Sequence, residues 1–161
     1  MSDETTPTGG TAGAVEQLAE NTCWELLRSA GVSRLAVWVE DHPDIFPVNH
    51  AVDHGTVVFR TAEGTKLSAA LADVPVALEA DGYDAGTGLA WSVVVKGRAG
   101  RIGRAEELEA TADLPLLPWQ AGPKGVFVRI VPGLVTGRRF PVADPSVWRT
   151  ALSDAHRAAP E

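Results

Sequence analysis

TVVFRTAEGTKLSAAL, residues 56–71, changes its periodicity halfway along. Residues 56–59 are β-branched or aromatic, with Val57 and Phe59 on one face and Val58 on the other, which predicts a strand over residues 56–60. Thr61-Ala62-Glu63-Gly64 is a short, turn-rich connection. From Lys66 the spacing becomes helical, with Leu67, Ala70 and Leu71 on one apolar stripe. Strand, tight turn and helix gather Arg60, Thr61, Thr65 and Lys66 at a helix N-terminus. Backbone N–H groups and the positive end of the helix dipole favour an anion there, and two cations with two hydroxyls make a candidate phosphate cradle. A plainer reading stays open beside it. Thr61 or Thr65 caps the helix, and Arg60 and Lys66 are solvated surface charges.

Length and composition bound the rest. At 161 residues, 45% of them apolar, the chain is expected to form one domain with tails. No apolar run approaches membrane-spanning length, and the N-terminus lacks the pattern of a secretory signal. Cys23 is the single cysteine, which excludes an internal disulfide and fits a cytoplasmic location. A net charge of −7 disfavours nucleic acid as a partner but leaves room for a small local anion site.

Outward from the central stretch the pattern is mostly β. Residues 1–20 read as a disordered tail. A helix capped at Asn21-Thr22 and carrying Trp24 and Leu27 follows. Strands are expected over residues 35–39 and 45–52, the second interrupted by Pro47. Proline cannot donate to a ladder, so Pro47, Val48 and Asn49 leave backbone groups for something other than a neighbouring strand. His50 and His54 straddle a strand end and its turn with no third ligand, so no metal is expected. After residues 71–75, a strand over 76–81 leads to a loop at 81–88. A long bent strand spans residues 90–102, with Trp91, Val93 and Val95 on one face and Ser92, Val94 and Lys96 on the other. A short helix is expected at 104–110, then strands at 125–131 and 134–140 separated by Pro132-Gly133. Asp144-Pro145 opens a C-terminal helix and tail over 143–161. Six or seven strands joined mainly by hairpins give a mainly β chain, closed or nearly closed into an antiparallel barrel, with a sandwich as the alternative.

The order IFPVN, turn, TVVFRTAEGTK, helix, strand, SVVVKGRAGRI, then FVRI and VTGRRF resembles the pyridoxamine 5′-phosphate oxidase-like flavoproteins. FRTAEGTK is its most specific part, with the Val94, Gly97, Ala99 pattern in support. The resemblance implies a split β-barrel over residues 21–142 that binds FMN. It implies that Thr61, Thr65 and Lys66 hold the flavin phosphate with Arg60 adding charge. Pro47, Val48 and Asn49 would line the isoalloxazine ring, and Trp91 and Ser92 would meet it from the long strand. Arg138 or Arg139 would reach the cofactor from a second subunit, because the family forms homodimers with flavin at the interface.

Departures narrow the implied activity. Thr65 precedes Lys66 where full oxidases carry adjacent basic residues, and Arg138-Arg139-Phe140 lacks the histidine of their Arg-x-His segment. These changes point away from pyridoxamine phosphate as the substrate and toward the family's smaller branch, some of whose members bind a deazaflavin. The expected activity is flavin-dependent transfer of hydride or electrons from a nicotinamide or deazaflavin donor to an unknown acceptor. A non-catalytic flavin- or ligand-binding module is the alternative. No hydrolytic constellation is found, as expected where the cofactor carries the chemistry.

Overall fold

A computed structural model describes residues 13–116 and 125–143. In chain order the elements are β1 Glu16–Gln17, α1 Glu20–Ser29, β2 Val32–Val39, β3 His42–Asp53, β4 Thr56–Thr61 and α2 Thr65–Ala70. They continue with β5 Val76–Asp84, β6 Leu89–Arg101, α3 Ala105–Ala112 and β7 Val126–Pro141. The sheet order is β1-β7-β4-β3-β2-β5-β6, and a further β6–β7 ladder joins its ends. Every pairing is antiparallel, so six long strands close a barrel and β1 is appended to β7. The expected mainly β barrel is what forms.

Alternation places the core. In β2, Ser33, Leu35 and Val37 are buried while Arg34 and Trp38 are exposed; in β6, Val93 and Val95 are fully buried while Lys96 is exposed. His54 and Gly55 both take positive φ in the two-residue link between β3 and β4, the backbone of a hairpin turn whose twist matches its strands. Helix α1 lays Cys23, Trp24 and Leu27 on the barrel core, and α2 adds Leu67, Ala69 and Ala70. A smaller second core of Ala51, Val58, Ile102 and Leu116 packs with Leu108 of α3.

Four local expectations change. Residues 125–131 and 134–140 belong to one strand, β7, which carries Pro132 through a register irregularity at Lys96/Gly97. Gly97 makes this possible: a Cβ there would collide with the Val131 carbonyl oxygen. Strand β5 extends to Asp84, so the loop is only residues 85–88. Helix α1 starts at Glu20 with Ala19 at its cap, one turn-edge before the expected Asn21-Thr22. Glu16–Gln17 form a strand because β7 presents an edge to them, which local propensity does not reveal. The expected C-terminal helix lies outside the described residues.

Candidate functional site

The chain from β4 into α2 forms the expected strand, turn and helix. Neither Thr61 nor Thr65 caps it. Gly64 is the N-cap, at φ 147° and ψ −169°, a conformation essentially reserved for glycine, and no side chain bonds the helix start. The first helical bond runs from the Ser68 N–H to the Gly64 carbonyl, so the amides of residues 65–67 precede the ladder.

Both cations of the stretch rest on aromatic rings. The Arg60 guanidinium carbon lies 5.2 Å from the centre of the Phe127 ring, its cross-strand partner on β7. The Lys66 ammonium lies 5.5 Å from the centre of the Phe46 ring on β3. Both distances fall in the range of cation–π attraction. Thr65 is exposed, whereas Thr61 is buried and its hydroxyl donates to the Ala62 carbonyl at 3.3 Å. Arg60 remains exposed and Lys66 half-buried, so both are surface charges that also stand beside a ring.

The Lys66–Phe46 contact brings α2 against the start of the Pro47-Val48-Asn49 segment. The β3–β4 ladder covers His50↔Phe59 through Asp53↔Thr56, while residues 46–49 are matched across to β2 alone among the described pairings. Pro47 is exposed, Asn49 is half-buried with its amide donating to the Gly31 carbonyl at 3.4 Å, and the Val48 side chain is in the core. Of this trio, Val48 can offer a ligand backbone only.

Ser92 and Arg138 form a separate pair, with Trp91 on the opposite face of β6. Arg60 pairs with Phe127, and Ser92 pairs with Arg138, eleven residues further along β7. That is about 36 Å of extended strand. Arg138 is exposed on the outer face, and its Nε donates to Ser92 Oγ at 3.4 Å. Arg139 points to the other side and pairs with Glu16 at 3.6 Å, so Arg138 is the arginine that accompanies Ser92. Trp91 packs against the core with its indole over Gly82, where a Cβ would meet Nε1 at 2.5 Å.

Phe46 and Phe127 were not singled out in sequence, because alternation marks them only as apolar. His50, expected near the end of a strand, lies within β3. It is a buried core histidine whose Nδ1 meets Ser33 Oγ at 2.6 Å and whose Nε2 meets the Leu27 carbonyl at 2.8 Å. A carbonyl only accepts, so Nε2 carries the proton and Nδ1 accepts from the serine. Burial holds the His50 pKa below its ordinary value, with the Leu27 bond opposing. Among the described residues no three His, Cys, Asp or Glu side chains group to hold a metal, and no helix is long and apolar enough to cross a membrane.

A closed antiparallel barrel whose fourth strand turns through glycine into a short helix defines the split-barrel class. The chain belongs to the pyridoxamine 5′-phosphate oxidase family, whose sequence profile matches residues 19–139. A candidate pyridoxamine 5′-phosphate oxidase from Corynebacterium glutamicum is 38% identical, with a TM-score of 0.70 over 81% of this chain and 96% of that one. The FAD-binding protein of Mycobacterium smegmatis is also 38% identical, with a TM-score of 0.67 over 78% of this chain and 98% of its own. An uncharacterised Mycobacterium tuberculosis protein is 37% identical over 135 residues, 81% of this chain and 88% of that protein.

Proposed function

We propose that this chain is a flavin-dependent oxidoreductase, binding FMN at the start of α2 and acting as a homodimer. It would pass hydride or electrons from a nicotinamide or deazaflavin donor to a small-molecule acceptor. The observation that carries this reading is the Lys66–Phe46 contact, which joins an anion-favouring helix start to the stretch of β3 that has no β4 partner.

The residues present fit a flavin phosphate. The amides ahead of the first helical bond, the exposed Thr65 hydroxyl and the Lys66 ammonium offer donors to a doubly charged group, and Arg60 adds charge. Buried Thr61 fixes the strand end beneath them. Pro47 and Asn49, with the Val48 backbone, would border the ring. When bound, the flavin supplies the redox chemistry; the chain positions it and sets its electrostatic surroundings. Arg138 stands at the far end of β7 with Ser92 of β6 beside it, so a complete site would take them from a second copy of the chain.

FAD is the second reading, favoured by the name of the M. smegmatis relative. The deazaflavin coenzyme is the third. The visible spectrum of the purified protein, followed by calorimetric titration with FMN, FAD and a deazaflavin, tests them together. A flavin band, or binding of one of the three in the micromolar range or tighter, is expected. A colourless protein that binds none of them removes the proposal. Bound flavin that no nicotinamide or deazaflavin donor reduces leaves a binding module in place of an oxidoreductase.

A further inference from the structure

The register of the β4, β7 and β6 ladders puts two arginines on opposite sides of the barrel wall. Phe59, Val128 and Arg101 are matched in one row across the three strands. Phe59 and Val128 are fully buried in the main core, and Ala99, two residues before Arg101 on β6, packs against it as well. Arg101 therefore stands on the core side of the wall. It is the last residue of β6 and its side chain is 48% exposed, so it lies at the barrel mouth. Arg60, next to Phe59 on β4, faces the other way, with its guanidinium over Phe127, a ring that packs on the second core.

The cradle turn belongs to the core side. Thr61 shares the parity of Phe59 and is buried, and Phe46, which carries the Lys66 ammonium, packs on the main core. Of the two cations within residues 56–71, only Lys66 is on that side. Arg101 reaches the same turn from β6: its Nη2 donates to Glu63 Oε1 at 2.5 Å, and Glu63 immediately precedes Gly64, the N-cap of α2. A guanidinium has several N–H donors in a planar fork, so one bond to a carboxylate leaves others for a second anion. The carboxylate gives the contact a further consequence. Beside the helix start an unopposed Glu63 would repel a phosphate, and the guanidinium offsets that charge.

We propose that Arg101 is the second cation of the flavin phosphate site, presented across the barrel mouth with Glu63 as the carboxylate that aims it. The assignment rests on the flavin reading above and deepens it: the group recognised is the phosphate on the ribityl chain, which FMN and FAD share. Thr65 stands before Lys66 within the stretch itself, and the basic partner of Lys66 comes from a strand distant in sequence. Arg60 adds its charge from the outer side.

Riboflavin has the same ring and ribityl chain without the phosphate, and so separates contact with the phosphate from damage to the fold. Whichever of FMN and FAD binds the unaltered purified chain is titrated by calorimetry beside riboflavin, in that chain, in Arg101→Gln and in Arg98→Gln. Arg98 is on the same strand but the outer side, opposite exposed Val131 and paired with Asp73 at 3.1 Å, and controls for the loss of an exposed arginine. Arg101→Gln is expected to bind the phosphorylated flavin at least about tenfold more weakly, the loss of one charged hydrogen bond, with riboflavin affinity unchanged. Arg98→Gln should leave both affinities as they are. Equal losses for the two ligands in Arg101→Gln, or no loss for either, overturn the proposal while the flavin reading stands. A selective loss of the same size in Arg98→Gln also overturns it, because the effect would then belong to net charge. An unaltered chain that binds neither FMN, FAD nor riboflavin removes the flavin reading and this proposal with it.

Discussion

The Lys66 ammonium stands 5.5 Å from the centre of the Phe46 ring, and that contact fastens the start of α2 to the strand just ahead of Pro47. Lysine is thereby held on the β3 side of the helix start, where its charge adds to that of the helix end. Lys66→Ala is expected to weaken flavin binding by about 1.5–3 kcal/mol, the loss of a charged hydrogen bond. Phe46→Leu keeps the lysine but removes its platform, and should weaken binding by about 0.5–1 kcal/mol. Calorimetric titration of both variants checks the order; a larger loss in Phe46→Leu than in Lys66→Ala reverses it.

Gly64 has open space where a Cβ would go, yet its φ of 147° is strained for any other residue. Gly64→Ala should therefore destabilise the chain by about 1–3 kcal/mol through the backbone alone. The same change would shift the amides at the start of α2 and lower flavin affinity. Chemical denaturation with and without flavin separates the two effects, and unchanged stability would show that the turn relaxes freely.

The proposed sharing of a site between two copies makes a complementation prediction. In the proposed homodimer, Lys66→Ala chains and Arg138→Gln chains would each carry two damaged sites. A mixed dimer pairs the intact Lys66 of one chain with the intact Arg138 of the other at one of its two sites. Co-expressed variants should recover, at that one site, the flavin affinity that each variant loses alone. No recovery in a mixed dimer verified by mass spectrometry places Lys66 and Arg138 in the same chain's site or in none.

Arg129 joins β7 to the β3–β4 hairpin, donating to Asp53 at 2.8 Å and to Thr56 Oγ1 at 2.6 Å, with both charged groups largely shielded. The Arg129 bond is the largest of the influences that hold the Asp53 carboxyl below the usual carboxylate value, with His54 assisting against the effect of burial. Its folded pKa is depressed, so the stabilisation is present above about pH 3.9 and is lost as pH falls through the folded value. Asp53→Asn should lower stability at pH 7 by about 1–2 kcal/mol and reduce the acid dependence below pH 4. A double-mutant cycle with Arg129→Met measures the coupling, which vanishes if the pair is ornamental.

His50 titrates in another window. Its folded pKa lies below about 6.5, so the unfolded chain takes up the proton first as the solution is acidified. Stability is expected to be constant above pH 6.5 and to fall as pH drops from there toward the lowered folded value. Melting temperatures measured every half unit should show this slope, and His50→Gln should flatten it while being less stable throughout. A slope retained in His50→Gln would assign the effect to another group.

Local chemistry made much of the fold legible. Alternation at Val57, Val58 and Phe59, the turn at residues 61–64 and the helical stripe at Leu67 and Ala70 each depend on near neighbours, and each is found. The opposite faces of Val93 and Ser92 follow from the strand period in the same way. Gly64, in contrast, was read only as part of a connection. That it caps the helix in place of Thr61 or Thr65 depends on the angle at which the turn leaves β4.

The sequence by itself determined the strand–turn–helix at residues 56–71, the hairpin order and the family, because these rest on periodicity and on residue types a few positions apart. Tertiary structure alone decided that Pro132 lies within one strand opposite Gly97, that Val48 and Thr61 face inward, and that Arg138 stands a strand's length from the cradle. It also decided that Asp81, Ser92 and Arg138 share a row. These are matters of register between segments distant in the chain. A shift of one residue turns every side chain to the other face, and only the closed set of ladders fixes which register is taken.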